Sequence, residues 1–116
     1  MTTHVLKNGN IVTGSQDGKI NIWGNDGKTK IKEWKAHEDI VRSFTNFEEI
    51  GFVSCSNDET VKFWTNEGDL LQSMSGHAGF VFDVYEISPG VVASGSDDRS
   101  VKIWKDGECV QTISHP

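Results

Sequence analysis

Apolar and polar residues alternate in short bursts along this chain, and the bursts return in one form. The stretch FVSCSNDETVKFW at 52–64 has counterparts in IVTGSQDGKINIW at 11–23 and VASGSDDRSVKIW at 92–104. Each copy holds a run of small and apolar residues, a polar turn with an Asp, and a second run alternating up to a Trp. Val61 and Phe63 against Lys62 and Trp64, and Val101 and Ile103 against Lys102 and Trp104, follow the period of two that an extended strand imposes. Asp17-Gly18, Asp58-Glu59 and Asp98-Arg99 supply the turns, because a short carboxylate bonds to backbone amides two residues on. The pattern predicts three β-hairpins. A hairpin is marginal by itself, so each must stack on other sheets, and the next copy is the nearest candidate.

Tryptophans at 23, 64 and 104 are spaced by 41 and 40 residues, within the range of repeat architectures. In the second unit a strand near 40–45 precedes the hairpin and another at 70–74 follows it. The third unit repeats this, with strands at 80–87 and 109–113 and turns at Ser88-Pro89-Gly90 and Asp106-Gly107. The first unit has a closing strand at 29–34, but only Val5-Leu6 and the turn 7–10 stand before its hairpin, so most of its opening strand is expected to be missing. The units span 3–34, 37–74 and 77–113. No helical period occurs, and the chain reads as all-β.

Composition narrows the partners. Among 116 residues, 35% are hydrophobic and 24% charged, ordinary for a globular domain. A net charge of −6 and a pI near 5.1 argue against nucleic acid, whose binders display a basic face. No apolar run approaches the roughly 20 residues of a membrane-spanning helix, so no membrane partner is expected. The opening MTTHVLKNGN lacks a signal pattern, which makes a cytoplasmic or nuclear location the expectation. Cys55 and Cys109 lie 54 residues apart without metal-ligand spacing and are expected to be two buried thiols. No metal or cofactor is expected.

The Gly76-His77 pair, the SGSDD-type hairpin and the terminal Trp resemble WD repeats, whose fold is the β-propeller. The Asp that usually follows the Trp is replaced by Gly24, Thr65 and Lys105. Within that group, HEDIVR at 37–42, FVSCSND at 52–58 and DRSVKIWKDGECVQTI at 98–113 resemble the propeller of the ubiquitin-binding phospholipase-activating-protein family. The resemblance implies a partial β-propeller of WD-repeat type, about three four-stranded antiparallel blades, the first lacking most of its inner strand. Three blades do not close the ring of typically four to eight that propellers form. Either the chain is part of a longer propeller, which the resemblance favours, or copies of it complete a ring. Self-association of the isolated chain is the expectation.

The resemblance also implies a hydrogen-bonded tetrad of His, Ser or Thr, Asp and Trp in each blade. It maps to His37, Ser54, Asp58 and Trp64, to His77, Ser94, Asp98 and Trp104, and in part to Thr13, Asp17 and Trp23. His4 is only 9 residues before Thr13, whereas His37 is 17 before Ser54, so the first set lacks its His. His115 has no preceding Gly and is not counted. Ser, His and Asp are also the inventory of a hydrolase. Here they recur at constant offset beside an indole, so a structural role is expected and an enzyme is not. Candidate partner-binding residues sit on the face where the inner-strand entry meets the hairpin turn. They are Gln16, Asn57 and Asp97 before the turn aspartates, and Ile40, Arg42, Phe80 and Phe82 flanking Val41 and Val81. Ubiquitin or a ubiquitinated protein is the partner the resemblance implies, and a scaffold for another protein or peptide is the alternative.

Overall fold

The computed structural model describes residues 1–114, and among them twelve strands form three four-stranded antiparallel sheets. The first holds β1 (Thr2–Val5), β2 (Ile11–Gly14), β3 (Lys19–Trp23) and β4 (Lys30–Lys35). The second holds β5 (Val41–Phe47), β6 (Gly51–Ser56), β7 (Thr60–Thr65) and β8 (Leu70–Ser75). The third holds β9 (Val81–Ser88), β10 (Val91–Ser96), β11 (Ser100–Lys105) and β12 (Glu108–Ser114). Strands lie in chain order within each sheet, so neighbours pair through hairpins. His115 and Pro116 lie outside the described residues.

The repeated sequence produces a repeated register. Ile11 pairs Trp23, Phe52 pairs Trp64 and Val92 pairs Trp104. The pairing to the outer strand slips just before each Trp, between Ile22 and Trp23, Phe63 and Trp64, and Ile103 and Trp104. Such bulges sharpen local twist and re-aim a side chain. Gly18, Glu59 and Arg99 occupy the same turn position, with φ of 86°, 75° and 67°. The preceding Asp Oδ1 accepts the next residue's N–H, from Lys19 at 3.2 Å, Thr60 at 3.0 Å and Ser100 at 2.9 Å, and so supports this left-handed backbone. At Gly18 there is a second constraint. A Cβ there would lie 2.0 Å from the His37 carbonyl oxygen, because Ala36 and His37 both donate N–H to Gly18 O at 3.0 Å.

The inner strand of the first sheet is short but present: β1 has four residues against seven in β5 and eight in β9. It pairs along all of β2, from Thr2 against Gly14 to Val5 against Ile11.

Two apolar layers hold the three sheets. Leu6, Val12, Ile20 and Ile22 meet Val41, Phe44, Phe52 and Trp64 across the first boundary. Val53, Cys55, Val61 and Phe63 meet Val81, Val84, Val92 and Trp104 across the second. Trp34 stands edge-on to Trp64 at 5.2 Å, and Phe47 edge-on to Phe63 at 4.9 Å. Such pairs add about 0.5–1.5 kcal/mol beyond area burial. The thiols differ from expectation. Cys55 is buried in the second layer, but Cys109 is exposed. Its strand, β12, is the outer edge of the third sheet and is exposed along its length, so no layer lies over it.

Candidate partner-binding face

The polar groups beneath the face form a one-way chain of hydrogen bonds. Trp64 Nε1 donates to Ser54 Oγ at 2.8 Å, Ser54 Oγ lies 2.8 Å from His37 Nε2, and His37 Nδ1 lies 2.9 Å from Asp58 Oδ2. An indole N–H only donates and a carboxylate only accepts, so Ser54 donates onward to Nε2 and the His37 proton sits on Nδ1. Trp104, Ser94, His77 and Asp98 repeat the chain at 2.8, 2.7 and 3.0 Å. In the first sheet Trp23 Nε1 donates to Thr13 Oγ1 at 3.0 Å, and Asp17 accepts from Ser15 Oγ. His4 takes no part in this, because its Nε2 lies 3.0 Å from Asn46 Oδ1 in the second sheet.

Burial alone would raise the Asp58 carboxyl, but hydrogen bonds from His37 and Thr60 outweigh it and hold the group well below the usual carboxylate range. Asp98 is held low in the same way, burial being outweighed by Ser100 Oγ, the Ala78 N–H and His77. Ser54 and Ser94 are buried, and each Oγ already accepts an indole proton. The set ties the entry loop, β6 and β7 together and leaves no exposed nucleophile; β10 and β11 are tied likewise.

Above each network the loop entering the inner strand docks on its own sheet's turn. Asn57 N–H donates to Ile40 O at 3.0 Å and Asp97 N–H to Phe80 O at 2.9 Å. Arg42 is the extra residue of a bulge between Val41 and Ser43, and its Nη1 reaches Asn57 Oδ1 at 3.3 Å. Val41 N–H also crosses to Ser15 O at 3.1 Å, drawing the second sheet's entry to the first sheet's turn. Gln16, Ile40 and Arg42 consequently line one hollow of about 260 Å³ with Met1, Thr2 and Val41. Met1 and Thr2 were not singled out in the sequence, since nothing in the repeat marks the first sheet's entry.

Phe80 and Asp97 form a second pair on the third sheet, both exposed. Phe82 goes elsewhere. It occupies the bulge position equivalent to Arg42, and its ring lies over Gly95, 3.5 Å from where a Cβ would stand. It therefore belongs to the third sheet's outward face. With no side chain at Gly95, the ring finds an apolar floor there rather than a polar turn partner.

Hairpin-built four-stranded sheets, stacked face to face and each pinned through an indole, define blades of a β-propeller, a protein-interaction scaffold. The WD domain, G-beta repeat family matches residues 3–24, 28–65 and 68–105, and the chain belongs to that family. It is 42% identical over 92 residues to ubiquitin homeostasis protein lub1 of Schizosaccharomyces pombe, covering 78% of this chain and 13% of that protein. It is 30% identical over 107 residues to protein tipD of Dictyostelium discoideum, covering 89% of this chain and 18% of that protein. The crystal structure of the WD40 β-propeller domain of Doa1 superposes with a TM-score of 0.87 at 32% identity, over 99% of this chain and 40% of that one. The chain thus spans a minor part of these relatives, and the likeness to lub1 and Doa1 is to the phospholipase-activating-protein type of propeller.

Proposed function

We propose that the chain is a ubiquitin-reading part of a WD-repeat propeller acting in ubiquitin-dependent protein turnover. The observation that carries this reading is the 42% identity to a ubiquitin homeostasis protein over 92 residues. The face described above suits such a partner. Phe80 is an exposed aromatic, and Ile40 with Arg42 borders an open hollow beside the first sheet. A net charge of −6 complements the basic rim around ubiquitin's apolar patch, which raises association rate more than affinity.

Titrating isotope-labelled ubiquitin with the chain tests the reading. Saturable shifts confined to the apolar patch are expected, and Phe80→Ala or Arg42→Ala is expected to weaken binding by about 2 kcal/mol, roughly thirtyfold, if either is a central contact. Absence of saturable shifts at millimolar ubiquitin refutes it and leaves a scaffold for another protein or peptide.

A further inference from the structure

The two internal boundaries between sheets are built alike but filled differently at the end of the strands away from the candidate face. Lys32 and Gln72 hold equivalent places on the outer strands, pairing Ile22 and Phe63 one residue before each Trp. At the first boundary the chain fills its own gap. Lys32 Nζ lies 4.9 Å from the Trp34 ring centre, donates to Gly68 O at 2.9 Å and stands 3.8 Å from Asp69. A Cβ on Gly68 would lie 3.0 Å from both the Lys32 stem and the Trp34 ring, so no room is left there.

The second boundary keeps the turn and changes the filling. Gly107 repeats Gly68, with φ of 80° against 90°. Met74 stands in the place of Trp34, and Gln72, one atom shorter than Lys32, reaches Gly107 O only at 3.4 Å. A hollow of about 140 Å³ remains, floored by Phe47, Phe63 and Trp104 and rimmed by Glu48, Lys105 and Asp106. An engineered apolar cavity of about 150 Å³ takes up one benzene ring, so a hollow of this size has room for a single side chain. Its walls are complete within the second and third sheets. Glu86 Oε2 accepts the Glu48 N–H at 2.6 Å and the Gly90 N–H at 3.2 Å, which clamps together the two turns of its inner wall.

The charge around the hollow is one-sided. The turns at 48–50, 66–69, 89–90 and 106–107 hold Glu48, Glu49, Glu67, Asp69 and Asp106 and no Lys, Arg or His. Glu49 and Asp69 face Lys7 and Lys32 of the first sheet, whereas Glu48 and Asp106 have no ion pair among the described residues. Lys105 is the single base on the rim.

We propose that this hollow takes an Arg or Lys side chain from a basic peptide segment of another protein, which does across the second boundary what Lys32 does across the first. The stem lies over Phe47, Phe63 and Trp104, and the cationic head meets Gly107 O, Glu48 and Asp106. An apolar floor beneath an acidic rim suits a side chain with an aliphatic stem and a charged end, and ring faces attract the cation further. The site lies at the opposite end of the strands from Phe80 and Arg42 and stands independently of the ubiquitin reading.

Nuclear magnetic resonance titration of the 116-residue chain with a capped Gly-Ser-Arg-Ser-Gly peptide tests this, beside the same peptide with citrulline in place of Arg. Saturable shifts of the Gly90 and Gly107 amides and the Trp104 indole are expected, with a dissociation constant in the low millimolar range. Glu48→Gln combined with Asp106→Asn is expected to weaken binding about fivefold, since both carboxylates are replaced by neutral groups. Gln72→Lys supplies the chain's own cation and is expected to abolish the shifts, while its circular dichroism and its behaviour toward ubiquitin match the parent's. No saturable shift with the Arg peptide overturns the proposal, and equal affinity for the citrulline peptide overturns the cationic head. Undiminished binding by Gln72→Lys, or shifts confined to Gln16, Ile40 and Arg42, overturns the place.

Discussion

The second and third sheets carry the same hairpin and differ in what lies over them. In β6 every residue from Gly51 to Ser56 is buried, whereas β10 alternates between half-buried and buried from Val91 to Ser96. The alternation is written in both sequences, and the third sheet displays it because one of its faces is open. The second sheet loses it because Val53 and Cys55 meet the third sheet while Phe52 meets the first, and Ser54 is buried in its own blade's polar chain. A strand pattern therefore reports which residues share a face, and the neighbours decide whether that face is dry.

The sharpest way to break this comparison is at the indoles. Trp64→Ala is expected to cost about 3–5 kcal/mol, the range for emptying a large buried aromatic site. Trp23→Ala, with one face open, is expected to cost roughly 1–2 kcal/mol in proportion to its smaller burial. Chemical denaturation of dilute chain measures both, and equal losses would show that stacking does not set the difference.

Ser54→Ala ranks next, at about 1–3 kcal/mol, because it leaves the Trp64 N–H and His37 Nε2 buried without a partner. Thr13→Ala strands only a half-buried indole and is expected to cost less. Matching melting temperatures for the two variants would contradict the network as drawn.

Acid sharpens the comparison further. Asp58 and Asp98 are held below their ordinary range in the folded chain, so their contribution is complete above the unfolded value of about 4 and is lost as pH falls through the folded values. Melting temperature is expected to decline on acidification below that point. Asp58→Asn should flatten the decline more than Asp98→Asn, since the Asp58 side chain is 9% exposed and the Asp98 side chain 14%. A profile unchanged by either substitution would argue against these bonds.

The smallest effect concerns the thiols. Burial pushes Cys55 up to about 12, with Asp83 adding to it, while Cys109 lies open on β12. Maleimide at neutral pH is expected to modify one thiol per chain, at Cys109, without loss of structure. Mass analysis of the peptides checks this, and rapid labelling of Cys55 would mean that the second boundary opens.

Much of the architecture was legible along the chain. Period-two alternation and Asp turns located the three hairpins, and the resemblance to WD repeats named His37, Ser54, Asp58 and Trp64 as groups that the fold brings within hydrogen-bond distance. The candidate face was legible in part. Gln16, Ile40 and Arg42 converge on one hollow, but Met1 and Thr2 join them only because a backbone bond from Val41 to Ser15 draws the first two sheets together. Phe82 was named with Phe80 as flanking Val81, with packing on its own blade as the alternative, and a bulge places its ring over Gly95.

By itself the sequence determined the local order of this protein: where the three hairpins and their turns fall and which residues alternate along the strands. These follow from interactions within about forty residues, where side-chain period and turn chemistry act directly. Tertiary structure alone decided which alternating face became core, why Cys55 is sheltered and Cys109 is not, and where the bulged residues Arg42 and Phe82 point. Burial depends on what is stacked above a surface, and a repeat that writes the same face three times does not say which copies are covered.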